Sequence, residues 1–146
     1  MRKMESPRVA VACHDRWMIG RQHHVVIDCP DPSGLAAFYS ELLGLPVTYE
    51  SPDWMVVAED VHASGLAFQR APEHQPPRWP DPRHPQQIHL DVMVDDVEAA
   101  GVAVLKLGAS RLSEGDHVYA DLAGHPFCLI PRPSWAPPIR SSRASL

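Results

Sequence analysis

The sequence predicts an α+β fold in which two tandem βαβββ modules form a cupped, barrel-like mixed sheet with the helices outside. Three observations carry this expectation. The order strand, helix, three strands is written twice along the chain. His24 and His89 stand at the same point of each pass, and the glycine that closes the helix follows 20 and 19 residues later, at Gly44 and Gly108. Between the passes lies a proline cluster, Pro72 to Pro85, where fixed φ and missing backbone donors exclude an interior strand or helix. A repeated unit that cannot bury its own face implies a partner, so two units side by side curve their sheets around a shared hollow.

The elements follow in order. QHHVVIDCP is rich in β-branched residues and ends at a proline, which reads as a strand over roughly 22–28. DPSGLAAFYSELLGL reads as a helix: Asp31 or Ser33 caps it, Pro32 is tolerated in the first turn, Leu35, Phe38 and Leu42 recur at helical spacing, and Gly44 stops it. PVTYES, WMVVAED and GLAFQRA then read as three strands. In the second pass QIHLDVMV is a strand and DDVEAAGVAVLKLGA a helix capped by Asp95 or Asp96. Gly101 weakens that helix by about 1 kcal/mol relative to alanine. ASRLSE, HVYADL and PFCLIP complete the second set. The organisation expected is an N-terminal extension (1–21), a domain over 22–131 (module one 22–71, connector 72–85, module two 86–131) and a tail (132–146). Val9–Ala12 reads as disordered or as an added strand, and Trp135 as the one residue of an otherwise mobile tail that docks.

Composition narrows the function. With 146 residues, 45% apolar and 21% charged, the chain suits one globular domain with a real core. A formal net charge of −5 leaves no basic stripe for phosphates, which argues against nucleic-acid binding. No apolar run approaches the ~20 residues that span a bilayer, and the N-terminal apolar stretch is too short for a secretory signal. Three cysteines (Cys13, Cys29 and Cys128) at no metal-like spacing read as reduced thiols in a cytoplasmic protein. No GxSxG, GxxxxGK[ST] or GxGxxG motif is present.

HHVVIDCPDPSGLAAFYSELLGL in the first pass, with IHLDVMVDDVEAAGVAVLKLGA and YADLAGHPFCLIP in the second, resembles the vicinal-oxygen-chelate superfamily, the glyoxalase/bleomycin-resistance/dioxygenase group, and especially its short glyoxalase-like members. The likeness covers about Gln22 to Pro131. It implies a small organic ligand in the cup and a homodimer, in which each cup is built within one chain or across two. Metal-dependent members place four ligands in the cup, on the first and last strands of each module. Here those positions match His24, Gln69, His89 and Cys128, so both carboxylates usual in the family are missing. Two imidazoles with a neutral amide hold a divalent ion far more weakly than a set containing a carboxylate, and a Cys128 thiolate would favour zinc. The expectation is therefore no assured cofactor, with zinc the leading divalent candidate.

Each candidate residue has a plainer reading beside the chemical one. His24 and His89 are metal ligands or pocket-lining imidazoles, the latter with Asp91 on the same face as its partner. Strand alternation sends His23 to the opposite side from His24. Cys128 is a ligand or a buried apolar thiol; Gln69 reads a polar ligand group, pairs with Arg70 or faces solvent. Trp54 opens a strand that lines the cup. Trp79 in the connector closes over the mouth or anchors a long loop, and Arg78, Arg83 and His84 form a local positive cluster. The leading function is a glyoxalase-like small-molecule-binding protein without the usual complete tetrad, sequestering a small organic ligand. The alternatives are a metal-dependent lyase, isomerase or dioxygenase using His24 and His89, and a regulatory or structural dimer with a vestigial cup.

Overall fold

A computed structural model describes residues 18–139. Cys13 and the Val9–Ala12 segment lie outside the described residues. Module one comprises β1 (Val25–Cys29), α1 (Pro32–Leu43), β2 (Val47–Glu50), β3 (Trp54–Val57) and β4 (Leu66–Arg70). Module two repeats it with β5 (Leu90–Val94), α2 (Val97–Lys106), β6 (Ser110–Ser113), β7 (Val118–Ala120) and β8 (Pro126–Pro131). Each module makes its own four-stranded sheet, in the orders β1-β4-β3-β2 and β5-β8-β7-β6. In both, the first strand runs parallel to the last and the remaining pairs are antiparallel. The doubling expected from sequence is present. The sheets are cupped rather than closed into a barrel: among the described residues no ladder joins β1 to β5.

Both helices begin on an aspartate. Asp31, not Ser33, accepts from the Gly34 amide at 3.1 Å, and Pro32 fills the first turn. Asp96, not Asp95, accepts from the Glu98 and Ala99 amides at 3.0 Å. Gly44 ends α1 in the left-handed region at φ 66°, a conformation that costs a Cβ-bearing residue energy.

One hydrophobic core serves both modules. Ile27, Cys29, Met55, Val57 and Phe68 from sheet one meet Leu35, Phe38 and Tyr39 of α1, and the same cluster holds Val92, Val104, Tyr119, Phe127 and Leu129 of module two. Phe38 meets Phe127 edge-on at 5.9 Å between ring centres. On the opposite face of sheet one Val56, Ala58 and Ala67 form a smaller cluster capped by Trp54 and Ala63, and that face carries the candidate site. Gly101 owes its place to packing: a Cβ there would stand 2.4 Å from the Tyr119 hydroxyl. That hydroxyl accepts from Arg111 at 2.9 Å, so the residue that weakens α2 locally admits a buried ring.

The start of the tail is tied down, though not through Trp135, which is 79% exposed. Ala136 is buried instead, because Arg132 binds both its carbonyl and Asp95, and the Ile139 amide donates to Asp95 at 3.0 Å. Asp95 is left free of the helix cap for this role.

Candidate functional site

His23 and His24 precede β1, whose first residue is Val25. Strand alternation therefore does not govern them. Both line one cavity of about 530 Å³, with their rings 3.8 Å apart between centres, where the sequence pattern had placed them on opposite sides. Thr48, Tyr49, Trp54 and Val56 complete most of the wall. The β3 register puts Trp54 opposite Gln69 and Val56 opposite Ala67, so these four share the face on which the hollow opens. His24 accepts the Gly65 amide on Nδ1 at 3.1 Å, which leaves Nε2 as its remaining polar atom. Burial, then the neighbouring His23, holds the His24 imidazole below its ordinary pKa and favours the neutral ring.

Gln69 is exposed on β4, opposite Asp28 of β1. Its neighbour Arg70 pairs with Asp53 at 3.4 Å rather than with Gln69. Trp79 is half-buried and lines a small hollow within the connector, with Pro80, Pro82 and Gln86, away from the wall that Trp54 forms. Within the positive cluster expected at Arg78, Arg83 and His84 stands Asp81, which pairs with Arg83 at 3.4 Å and with His84 at 3.1 Å.

His89 stands just before β5 and borders a second hollow of about 250 Å³ with Val26, Asp28, Ile88 and His125. Its Nε2 lies 3.4 Å from Asp91 Oδ1, the same-face partnership read from sequence. Its Nδ1 faces Gln86 Nε2 at 3.4 Å. Cys128 of β8 is paired in register with Asp91. Its thiol is pushed up by burial, then by the charges of Asp91 and Asp116. Cys29, buried in the core, is raised to about 11 by burial and then by Asp121.

Sequence reasoning missed the turn before β8. Asp121 is buried and accepts from the amides of Ala123 and His125 at 2.9 and 3.0 Å, and its carboxylate meets His125 Nδ1 at 3.0 Å. His125 stacks on His74 of the connector at 4.8 Å and faces the hollow shared with Asp28. The signal available was an aspartate four residues before a histidine around Gly124.

A profile of the Glyoxalase-like domain family matches residues 24–130, and the chain belongs to that family. Its fold is similar to that of a glyoxalase/bleomycin resistance protein/dioxygenase family enzyme from Burkholderia phytofirmans PsJN, at 18% identity and TM-score 0.55, covering 73% of this chain and 94% of that one. It is also similar to a glyoxalase-related enzyme from Fulvimarina pelagi, at 16% identity and TM-score 0.57, covering 80% and 91%. The trypanothione-dependent glyoxalase I of Leishmania major superposes with TM-score 0.53 at 18% identity, covering 77% and 86%. These likenesses establish the fold. No curated protein matches the chain.

The family implies a metal, and its four-ligand arrangement does not fit the residues present. Among the described residues, His89, Asp91 and Cys128 are the one group of three or more His, Cys, Asp or Glu side chains whose ligand atoms all lie within 4.8 Å of one another, and His24 stands outside it. The position of the fourth ligand holds the neutral Gln69. No catalytic step is derived through a metal bound by the His24, Gln69, His89 and Cys128 set.

Proposed function

We propose that this chain is a glyoxalase-like small-molecule-binding protein that sequesters a small organic ligand without the family's usual complete metal tetrad. The observation that supports it is the hollow of about 530 Å³ in which Trp54 and Tyr49 stand beside the imidazoles of His23 and His24. Such a wall offers aromatic surface with two polar, hydrogen-bonding imidazoles, which suits a small, partly aromatic or oxygenated molecule. A metal-dependent lyase, isomerase or dioxygenase built on His24 and His89 is the weaker reading, because the two imidazoles border different hollows.

The functional unit we propose is a cytoplasmic homodimer. Val26, Tyr49 and Ile88, which border the two hollows, are 43%, 56% and 60% exposed, and a second copy would cover such apolar surface. Among the described residues no helix is long and apolar enough to cross a membrane.

The experiment is calorimetric screening of the purified chain against small oxygenated aromatic compounds, with Trp54→Ala and His24→Asn alongside. Saturable binding weakened at least about tenfold by Trp54→Ala supports the reading, since a buried aromatic contact contributes on the order of 1.4 kcal/mol or more. Binding indifferent to both substitutions, or none across the panel, removes it.

A further inference from the structure

The cross-strand pair Asp91–Cys128 and the imidazole of His89, the residue just before β5, bring oxygen, sulfur and nitrogen donors together. The three ligand atoms lie within 4.8 Å of one another, with His89 Nε2 already 3.4 Å from Asp91 Oδ1. A tetrahedral zinc ion with bonds of about 2.0–2.3 Å sets neighbouring ligand atoms roughly 3.3–3.8 Å apart, so rotamer adjustments of under an ångström or so close the set. As a carboxylate, a thiolate and a neutral imidazole, the three carry two negative charges, which match a divalent cation. The side chains of His89 and Asp91 are 43% and 54% exposed, which gives an ion a path from solvent, while Cys128 is half-buried against the sheet.

We propose that His89, Asp91 and Cys128 form a three-ligand zinc site held entirely by module two, with a fourth position open to water. Sulfur in the set selects a thiophilic ion over magnesium or calcium. On binding, the Cys128 proton leaves to solvent and the sulfur coordinates as thiolate. An imidazole bound through Nε2 carries its proton on Nδ1 and needs an acceptor there. Gln86 supplies one by rotation of its amide: its Nε2 lies 3.4 Å from that nitrogen, and its Oε1 is buried without a partner among the described residues. The site uses neither His24 nor Gln69, and it does not rest on the ligand-binding reading above: a failed ligand screen leaves it intact.

The test is titration of the chelator-treated full chain with Co(II) as a zinc surrogate, read by absorption. One equivalent should produce a sulfur-to-cobalt charge-transfer band that Zn(II) abolishes by displacement. Cys128→Ser should remove the band, and His89→Ala and Asp91→Asn should each weaken binding at least tenfold, while His24→Asn and Gln69→Ala leave it unchanged. Absence of the band, or equal loss in His24→Asn, overturns the proposal. Should a module-two variant fail to fold, wild-type protein decides alone: Zn(II) must slow alkylation of Cys128, mapped by peptide mass spectrometry. Unchanged labelling at Cys128 overturns it.

Discussion

The Tyr39 hydroxyl donates to the Asp121 carboxylate at 2.7 Å, and through this bond α1 of module one is tied to the turn that precedes β8 of module two. Both residues are buried. Tyr39 is also stacked on Phe68 at 5.5 Å, so its hydroxyl is aimed by a ring fixed in the core. Burial and then the Asp121 charge push the Tyr39 hydroxyl far above its ordinary pKa, which keeps it a donor at every working pH.

Asp121 should behave as the polar keystone of the two-module core. Burial alone would raise its carboxyl, but the hydrogen bond and charge of His125, then the Tyr39 hydroxyl, hold it below the usual carboxylate range. Tyr39→Phe removes one of several donors and should cost about 1–2 kcal/mol, whereas Asp121→Asn, which loses the charge, should cost about 2–3 kcal/mol at pH 7. Because the folded-state pKa is depressed, the stabilisation is present above the unfolded value of roughly 4 and is lost as pH falls through the folded value. Urea unfolding should therefore show the Asp121→Asn deficit shrinking below about pH 4. A deficit constant with pH would contradict this assignment.

How much of this was legible beforehand depends on the range of the interaction. Asp31, Asp96 and Gly44 act through amides or torsions a few residues away, and their roles follow from local pattern. The Asp91–His89 contact was legible for the same reason, since two residues along one chain segment share a face. Cys128 meeting Asp91 depends on how β5 and β8 are paired, and strand register across a separation of 37 residues leaves no local trace. The Tyr39–Asp121 bond spans 82 residues and was invisible for the same reason. His23 and Trp135 misled in another way. Alternation was extended to His23 and His24, two residues beyond the true start of β1, and a large apolar ring was taken to dock where the small Ala136 does.

Gly101→Ala should destabilise the protein even though alanine is the better helix former by about 1 kcal/mol. The new methyl would meet the Tyr119 hydroxyl at 2.4 Å, and that ring, fully buried and stacked on Phe127, has no room to retreat. In a Tyr119→Phe background the obstruction is gone, so the same glycine-to-alanine change should become neutral or stabilising. A double-mutant cycle by urea unfolding reads the sign change directly. The same sign in both backgrounds would show that the close approach does not decide Gly101.

Asp95→Asn should loosen the tail without unfolding the domain. Asp95 receives Arg132 and the Ile139 amide on its two oxygens, and the Arg132 hydrogen bond lowers its pKa. Asp95 is exposed and Arg132 only half-buried, so global stability should barely move. Local opening should move more: amide exchange at Ile139 and proteolytic clipping beyond Arg132 should both quicken. In the wild type the same quickening should set in as pH falls through the depressed Asp95 pKa. Clipping rates identical in variant and wild type would mean that Ala136 packing alone holds the segment.

His24 offers the clearest pH test of the first hollow. Its Nδ1 accepts the Gly65 amide, which only an unprotonated nitrogen can do, and its folded-state pKa is lowered by burial and by His23. A base with a lowered pKa favours the folded state fully above its unfolded value, near 6.5, and that contribution declines as pH falls through that value toward the folded one. His24→Asn keeps an acceptor oxygen close to where Nδ1 stood but cannot be protonated there. The variant should therefore lose less stability than wild type between about pH 7.5 and 5, and its affinity for any ligand of the Trp54 hollow should be flatter with pH over that interval. Parallel stability curves for the two proteins would show that His24 titrates alike in the folded and unfolded chain, and the hollow would then lose its claim to a neutral imidazole held by Gly65.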